Sequence, residues 1–330
     1  MSAASLRPLA EASFRLEVRA GKGVPRPLNE PGRADPGEGY SWSHLLREQP
    51  DSRACLAASG LEPLIQEALL TPETRPRWLS LGSGLLVVLR GVNLNPGAEP
   101  EDMVALRVWL EPGRVISVLG RPMFAVQDLQ RSLLEGVGPV DPGAWLAAAV
   151  RTILDRLGPV MDELGEDGDL LEEEVLRNPK AGLRRRVGQH RRACIEIRRH
   201  LAPMREVVTA LSLEPDTLLG PVERAHLHEA SDRLIRIVED LDTLRDRAAV
   251  THDELSSHLS DKINSTMFLL SLVAAIFLPL SLLTSLLGIN VNGIPGADSP
   301  YAFLTVCLIL LGVGGLEALF FFLRFWRKDR

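Results

Sequence analysis

Cysteine, aromatic residues and net positive charge are all scarce in this sequence, and each shortage excludes something. Three cysteines occur in 330 residues, Cys55, Cys194 and Cys307. An odd and widely spaced set makes no disulfide framework. The 37 lysines and arginines are outnumbered by 43 aspartates and glutamates, for a formal net charge of -6. That balance disfavours a polyanion-binding protein, and no nucleic-acid partner is expected. No basic and apolar leader stands at the N-terminus, where Arg7, Glu11, Arg15 and Glu17 interrupt every apolar run. The expectation is a chain not routed through a cleaved secretory signal. Hydrophobic residues make up 45% of the chain, which excludes intrinsic disorder. No Walker pattern, nucleophile elbow or zinc-hydrolase motif occurs, so no enzyme and no cofactor is expected.

Charge is also nearly missing from residues 263–330. Met267 to Leu287 reads MFLLSLVAAIFLPLSLLTSLL, with no ionisable side chain. At 1.5 Å per residue it is about 31 Å long, the thickness of a bilayer core. Tyr301 to Leu323 is also long enough to span and carries one charge, Glu317. The linker Gly288–Pro300 has no Lys or Arg, whereas the tail holds Arg324, Arg327, Lys328 and Arg330. Positive charge stays on the cytoplasmic side, and two spans return the chain to its starting face. Both termini are therefore expected in the cytoplasm, with the lipid bilayer as a partner.

The remainder reads as an α+β part followed by helices. Strands are expected at Phe14–Arg19, Leu79–Val92 and Met103–Leu119, the last folded at Glu111-Pro112-Gly113-Arg114. Short helices are expected at Ser43–Gln49 and Leu61–Leu69. From Asp141 onward no strand is expected. Pro142 opens one helix over Ala144–Leu157. Met161–Leu176 holds eight acids, and Leu183–Leu213 is helical and basic. The two blocks read as helix faces that attract each other in a hairpin, or as a negative surface that gathers cations near a pore mouth. From about Val222, Leu227, Leu234, Leu241, Ala248 and Leu255 recur every seven residues, with Ala230, Ile237 and Leu244 in the second seam position. One helix through to Leu287 would be about 100 Å long, a stalk that requires partner helices. The expected partition is 1–140 for the α/β part, 141–263 for hairpin and stalk, and 264–330 for the membrane part. Within the last, the spans are at about 267–287 and 301–323, joined by a periplasmic loop 288–300.

On a helical wheel of about 100° per residue, Asn264, Met267, Leu270, Ser271, Ala274, Leu278, Ser281, Ser285 and Gly288 share one arc. Polar groups in a span face protein or water. Small residues also form packing seams. Spacing alone leaves pore lining and packing seam open. Two spans cannot enclose a channel, so a pore needs several copies around an axis. After the first span comes Gly288-Ile289-Asn290, in which Gly288 permits a sharp turn and Asn290 offers a neutral carboxamide oxygen to the water shell of a cation.

Ile276-Phe277-Leu278-Pro279-Leu280-Ser281 followed by Gly288-Ile289-Asn290 resembles the CorA-type two-span metal-ion transporters, over essentially the whole chain. The Gly-Ile-Asn form leading to Gly293-Ile294-Pro295-Gly296, with Arg90-Gly91-Val92-Asn93-Leu94-Asn95 and His200-Leu201-Ala202-Pro203, is similar to the ZntB zinc-transporter branch. The magnesium branch usually has Tyr-Gly-Met-Asn, where Leu287 and Ile289 stand here. The resemblance implies a funnel-shaped homopentamer in the bacterial inner membrane, with a long stalk helix running into the first span. It implies a selectivity motif at Gly288, Ile289 and Asn290. Asn264, Met267, Leu270, Leu278, Ser281 and Ser285 map onto the family's pore lining, beside Ala274 from the wheel.

The implied activity is uptake of Zn2+, with Co2+, Ni2+, Cd2+ or Mg2+ as further cargo, coupled to protons. Glu317 is the one candidate for that coupling inside a span. The arc has no Cys or His, so a hydrated ion is expected, held back where Met267, Leu270 and Leu278 form apolar rings. His252 and His258 are candidates to meet ions in the funnel. His190 and Cys194, four apart, read as a surface histidine and a core cysteine. The alternatives are a Mg2+/Co2+ channel of the same family without proton coupling, and a membrane-anchored structural or sensor protein without transport.

Overall fold

A computed structural model describes residues 13–28, 32–34, 38–72, 75–213, 218–289 and 299–326. The chain divides into two compact units, Met1–Glu254 and Leu255–Arg330. The first is built on seven strands: β1 (Phe14–Arg19), β2 (Lys22–Arg26), β3 (Tyr40–Leu46), β4 (Arg77–Leu81), β5 (Gly84–Gly91), β6 (Val104–Glu111) and β7 (Arg114–Leu119). Their order is β2-β1-β3-β7-β6-β5-β4, and every pair is antiparallel except β3 with β7.

Both faces of the central strands are covered, which is why β5, β6 and β7 read as near-continuous apolar runs. Leu106, Val108 and Leu110 enter one core with Trp42 and Trp145, while Trp109 turns to a second core with Leu45, Ile65 and Ile116. Helices α1 (Pro50–Ala58) and α2 (Pro63–Leu70) cover that second face. The Ser43–Gln49 helix is a correction: Tyr40–Leu46 is a strand buried along its whole length and paired on both sides. Burial in the sheet outweighs the helical preference of Leu45 and Leu46.

Leu79–Val92 is likewise two strands, turning at Gly82 (φ +61°). The indole of Trp109 lies over Gly84, where a Cβ would overlap it. Glu111 and Arg114 flank the expected β6–β7 turn and bond at 2.6 Å, with Gly113 at φ +78°. Neither the hairpin partner β2 nor helix α3 (Phe124–Glu135) is among the elements expected from the sequence, although Val126, Leu129 and Leu133 recur at helical spacing and Gly136 (φ +83°) closes α3.

Helices α4 (Pro142–Arg177), α5 (Leu183–Leu213) and α6 (Pro221–Leu287) follow. Asp141 caps α4 by accepting a hydrogen bond from the Ala144 amide at 2.8 Å. The two blocks expected at 144–157 and 161–176 are one 36-residue helix that continues through Pro159. Buried Leu154, Leu157 and Val160 hold the chain on either side of that proline, and this packing offsets the lost backbone bond.

Helix α6 runs 67 residues, as its uninterrupted pattern requires. Its seam residues Leu227, Leu234, Leu241 and Ala248 are buried, in one cluster with Leu157, Ile197, Leu201 and Val208 of α4 and α5 for all but Ala248. The partner helices that the heptads call for are therefore present in the same chain. Ion pairs pin the sheaf: Arg233 to Asp155 at 2.6 Å, Arg247 to Asp169 at 2.6 Å and Glu172 at 2.7 Å, and Arg198 to Asp242 at 2.7 Å. The acidic block thus serves α6 as well as α5, where Arg186 meets Glu174 at 2.5 Å.

Candidate transport path

The second unit holds the end of α6 and the helix α7 (Ala302–Trp326), both long and apolar enough to cross a membrane. Half-buried positions show where they meet. On α7 they are Ala302, Val306, Cys307, Leu310, Val313, Gly314, Glu317 and Phe321, a stripe spaced by threes and fours. On α6 they are Leu272, Ala275, Ile276, Pro279, Leu280 and Leu283. Gly314 sits at the contact, where a Cβ would stand 3.6 Å from Leu280 Cδ1. The small residue lets the two helices approach closely.

The polar arc lies on the opposite side of α6. Asn264, Met267, Leu270, Ala274, Leu278, Ser281, Ser285 and Gly288 are all exposed, Leu278 by 69% and Leu270 by 64%. At about 100° per residue the centre of the arc is roughly 170° from the face turned to α7. The helix therefore uses its bulky aliphatic face to hold α7 and leaves its small and hydroxyl residues exposed among the described residues. Gly288 donates to the Thr284 carbonyl at 2.9 Å, and the helix ends beside it. Ile289 is exposed; Asn290 lies outside the described residues.

Glu317 falls on the α7 stripe that faces α6, half-buried, and its Oε2 is shielded from solvent with no hydrogen-bond partner. His258 is exposed, and His252 Nδ1 is 3.6 Å from Asp253 Oδ1. Six residues apart on one helix, the two rings point about 120° away from each other. Among the described residues no group of three or more His, Cys, Asp or Glu is arranged to hold a metal ion. His190 is a correction: it is buried, with Nδ1 3.2 Å from Asp167 Oδ2 and Nε2 3.9 Å from Cys194 Sγ. Burial pushes the Cys194 thiol up to about 11, so the pair is a protonated thiol beside an imidazole and a poor metal ligand.

Comparison with known proteins agrees with this arrangement. Residues 37–328 match the family described as CorA-like Mg2+ transporter protein. The divalent cation transporter CmaX of Pseudomonas aeruginosa is 39% identical over 283 residues, 84% of each chain. The zinc transport protein ZntB of Pectobacterium carotovorum is 35% identical over 298 residues, 90% of each chain. The solved full-length CmaX structure superposes with a TM-score of 0.80 at 36% identity, covering 94% of this chain and 96% of that one. The sheet-and-helix unit, the single long helix and the following apolar helix match that structure, and the chain belongs to the CorA family of divalent cation transporters, a family of membrane ion transporters.

Proposed function

We propose that five copies of this chain form an inner-membrane transporter that takes up Zn2+ with a proton gradient, along an axis lined by the arc of α6. The observation that carries this reading is the uncovered arc. Helix α7 packs on the far side of α6 and leaves Ser281, Ser285, Leu278 and Met267 exposed. In lipid such a face is better satisfied by a wet axis shared among copies than by acyl chains. The heptad seam of α6 is engaged by α4 and α5, so the exposed arc is the surface on which assembly rests. Residues 264–330 are the membrane part, residues 1–263 are cytoplasmic, and the basic tail stays inside.

Rings of Met267, Leu270 and Leu278 hold back a hydrated ion by resisting wetting, and hydroxyls of Ser281 and Ser285 lie beyond them toward the outer mouth. Gly288, Ile289 and Asn290 form the outer mouth, where five carboxamide oxygens accept hydrogen bonds from the ion's water shell. With no Cys or His on the arc, Co2+, Ni2+ and Cd2+ follow the same path. Glu317 carries the coupled proton in this reading, which its shielded Oε2 without a hydrogen-bond partner supports. A second reading is a Mg2+/Co2+ channel without proton coupling, favoured by the family description and by the resemblance to CmaX, named for divalent cations in general.

Reconstituted liposomes separate the two. Zinc flux that rises with an inward proton gradient supports the first reading. Magnesium flux indifferent to pH replaces it with the second. A monomeric or dimeric mass for the purified protein in lipid removes both.

A further inference from the structure

We infer that a cleft at one end of the sheet in the first unit binds a small, multiply charged phosphate-bearing anion. The cleft measures about 910 Å3 and is lined by Arg47, Arg75, Arg90, Arg107, Arg121 and Arg199. Two acids, Glu48 and Asp102, line it as well. Six arginines against two carboxylates make a concentrated positive field in a chain whose net charge is -6. Both acids are exposed and engaged at the rim, Asp102 by Arg121 at 2.9 Å and Glu48 by Arg47 at 3.0 Å.

The interior of the cleft is built rather than incidental. Arg107 projects from β6 and is 1% exposed. It donates to the Pro72 carbonyl at 2.6 Å and to the Ala105 carbonyl at 3.3 Å, and its Nε is buried with no partner. Arg90, on β5, donates to the Met103 carbonyl at 2.8 Å. Fixed carbonyl contacts of this kind orient guanidinium groups before any ligand arrives, which reduces the ordering cost of binding. Burial first, then Arg47 and Arg90, lower Arg107 to about 10, so it is still a cation at neutral pH. His200, also on the wall, is held below the usual histidine range by burial and next by Arg90 and Arg199.

Guanidinium forks match the geometry of phosphate oxygens in pairs. The volume exceeds that of one phosphate and fits a pyrophosphate or a phosphate ester. A soluble phosphate compound and a lipid headgroup share this chemistry. The site owes nothing to the transport path and stands or falls separately from it.

Calorimetric titration of inorganic pyrophosphate into the assembled full-length protein, in neutral-lipid nanodiscs with EDTA, tests the site. One saturable site per chain is expected. Arg47→Ala and Arg199→Ala should each weaken it by about ten-fold, the loss of one charge-assisted hydrogen bond. Arg107→Gln should weaken it further, and Arg151→Ala, in a separate cleft, should leave it unchanged. Should Arg107→Gln fail to fold, the two more exposed variants decide. Absence of saturable binding, equal affinity in Arg47→Ala and Arg199→Ala, or binding seen only after the assembly is dissociated overturns the proposal. The last outcome would mean that a neighbouring copy covers the cleft. Anionic phospholipid that competes with pyrophosphate would identify the headgroup as the source; unaltered affinity would identify a soluble ligand.

Discussion

The two halves of α6 share one helix and one periodicity but direct their seams to different partners. Between Leu227 and Ala248 the apolar stripe is buried, through Leu244 in one core with α4 and α5. Between Asn264 and Gly288 the aliphatic face meets α7 and the small, hydroxyl-bearing face is exposed among the described residues. Identical spacing therefore says that a face needs covering and leaves open what covers it. A seam of Leu and Ile wants any apolar surface, and the chain supplies one. An arc of Ser, Ala and Gly broken by Leu and Met admits close approach by a further helix as readily as water, and it is exposed among the described residues.

The sharpest break in this comparison is at the end of the open arc. Asn290→Ala should abolish metal uptake while native mass spectrometry still finds the intact assembly; normal flux would remove the mouth from the mechanism. Next, Leu241→Ala on the covered seam should cost about 2–5 kcal/mol of stability, read as an earlier urea midpoint. Leu278→Ala on the open arc should shift stability by no more than about 0.5 kcal/mol and increase resting ion leak instead. If both variants lose stability equally, the two halves are not different in kind. Glu317→Gln should flatten the pH dependence of zinc flux; an unchanged profile ends its role in coupling.

A smaller effect comes from His44, buried in the first unit with Nδ1 2.8 Å from the Ser117 hydroxyl. Burial holds its imidazole down at about 3, against roughly 6.5 when unfolded. Between those values the unfolded chain binds a proton that the folded chain refuses. Stability is thus fully present above about pH 6.5 and declines as pH falls toward 3. The urea midpoint should drop from pH 7 to 5.5 by more in the parent than in His44→Gln. The smallest effect is at Arg247, whose bonds to Asp169 and Glu172 lie partly in solvent. Arg247→Ala should cost no more than about 1 kcal/mol, and a larger loss would mean that this pin holds the sheaf together.

Much of the architecture was legible because it rests on local, additive properties. Pro142 behind Asp141 fixed the start of α4, and the turn at Pro112-Gly113 fixed β6 against β7. Leu183–Leu213 needed only its own pattern. The strand at Tyr40–Leu46 was not legible. Ser43–Leu46 has no strand alternation, because both of its faces are buried and both of its edges are paired. His190 was misread for a related reason: a polar residue four positions from a cysteine gives no hint that Asp167, 23 residues earlier, comes within 3.2 Å.

The sequence by itself determined that two long apolar stretches, the second with the single acid Glu317, are helices suited to lipid, that one unbroken helix leads into the first, and that small and hydroxyl residues share one of its faces. Those conclusions need only the free energy of transferring side chains from water and the 100° step of a helix. Only the tertiary structure decided which face α7 covers, what buries the heptad seam, and that arginines from positions 47 to 199 surround one cleft. A net charge of -6 sums over the chain and is blind to position. The sheet order, with β3 beside β7 and β6 next to it, is what carries distant cations to one end of the fold.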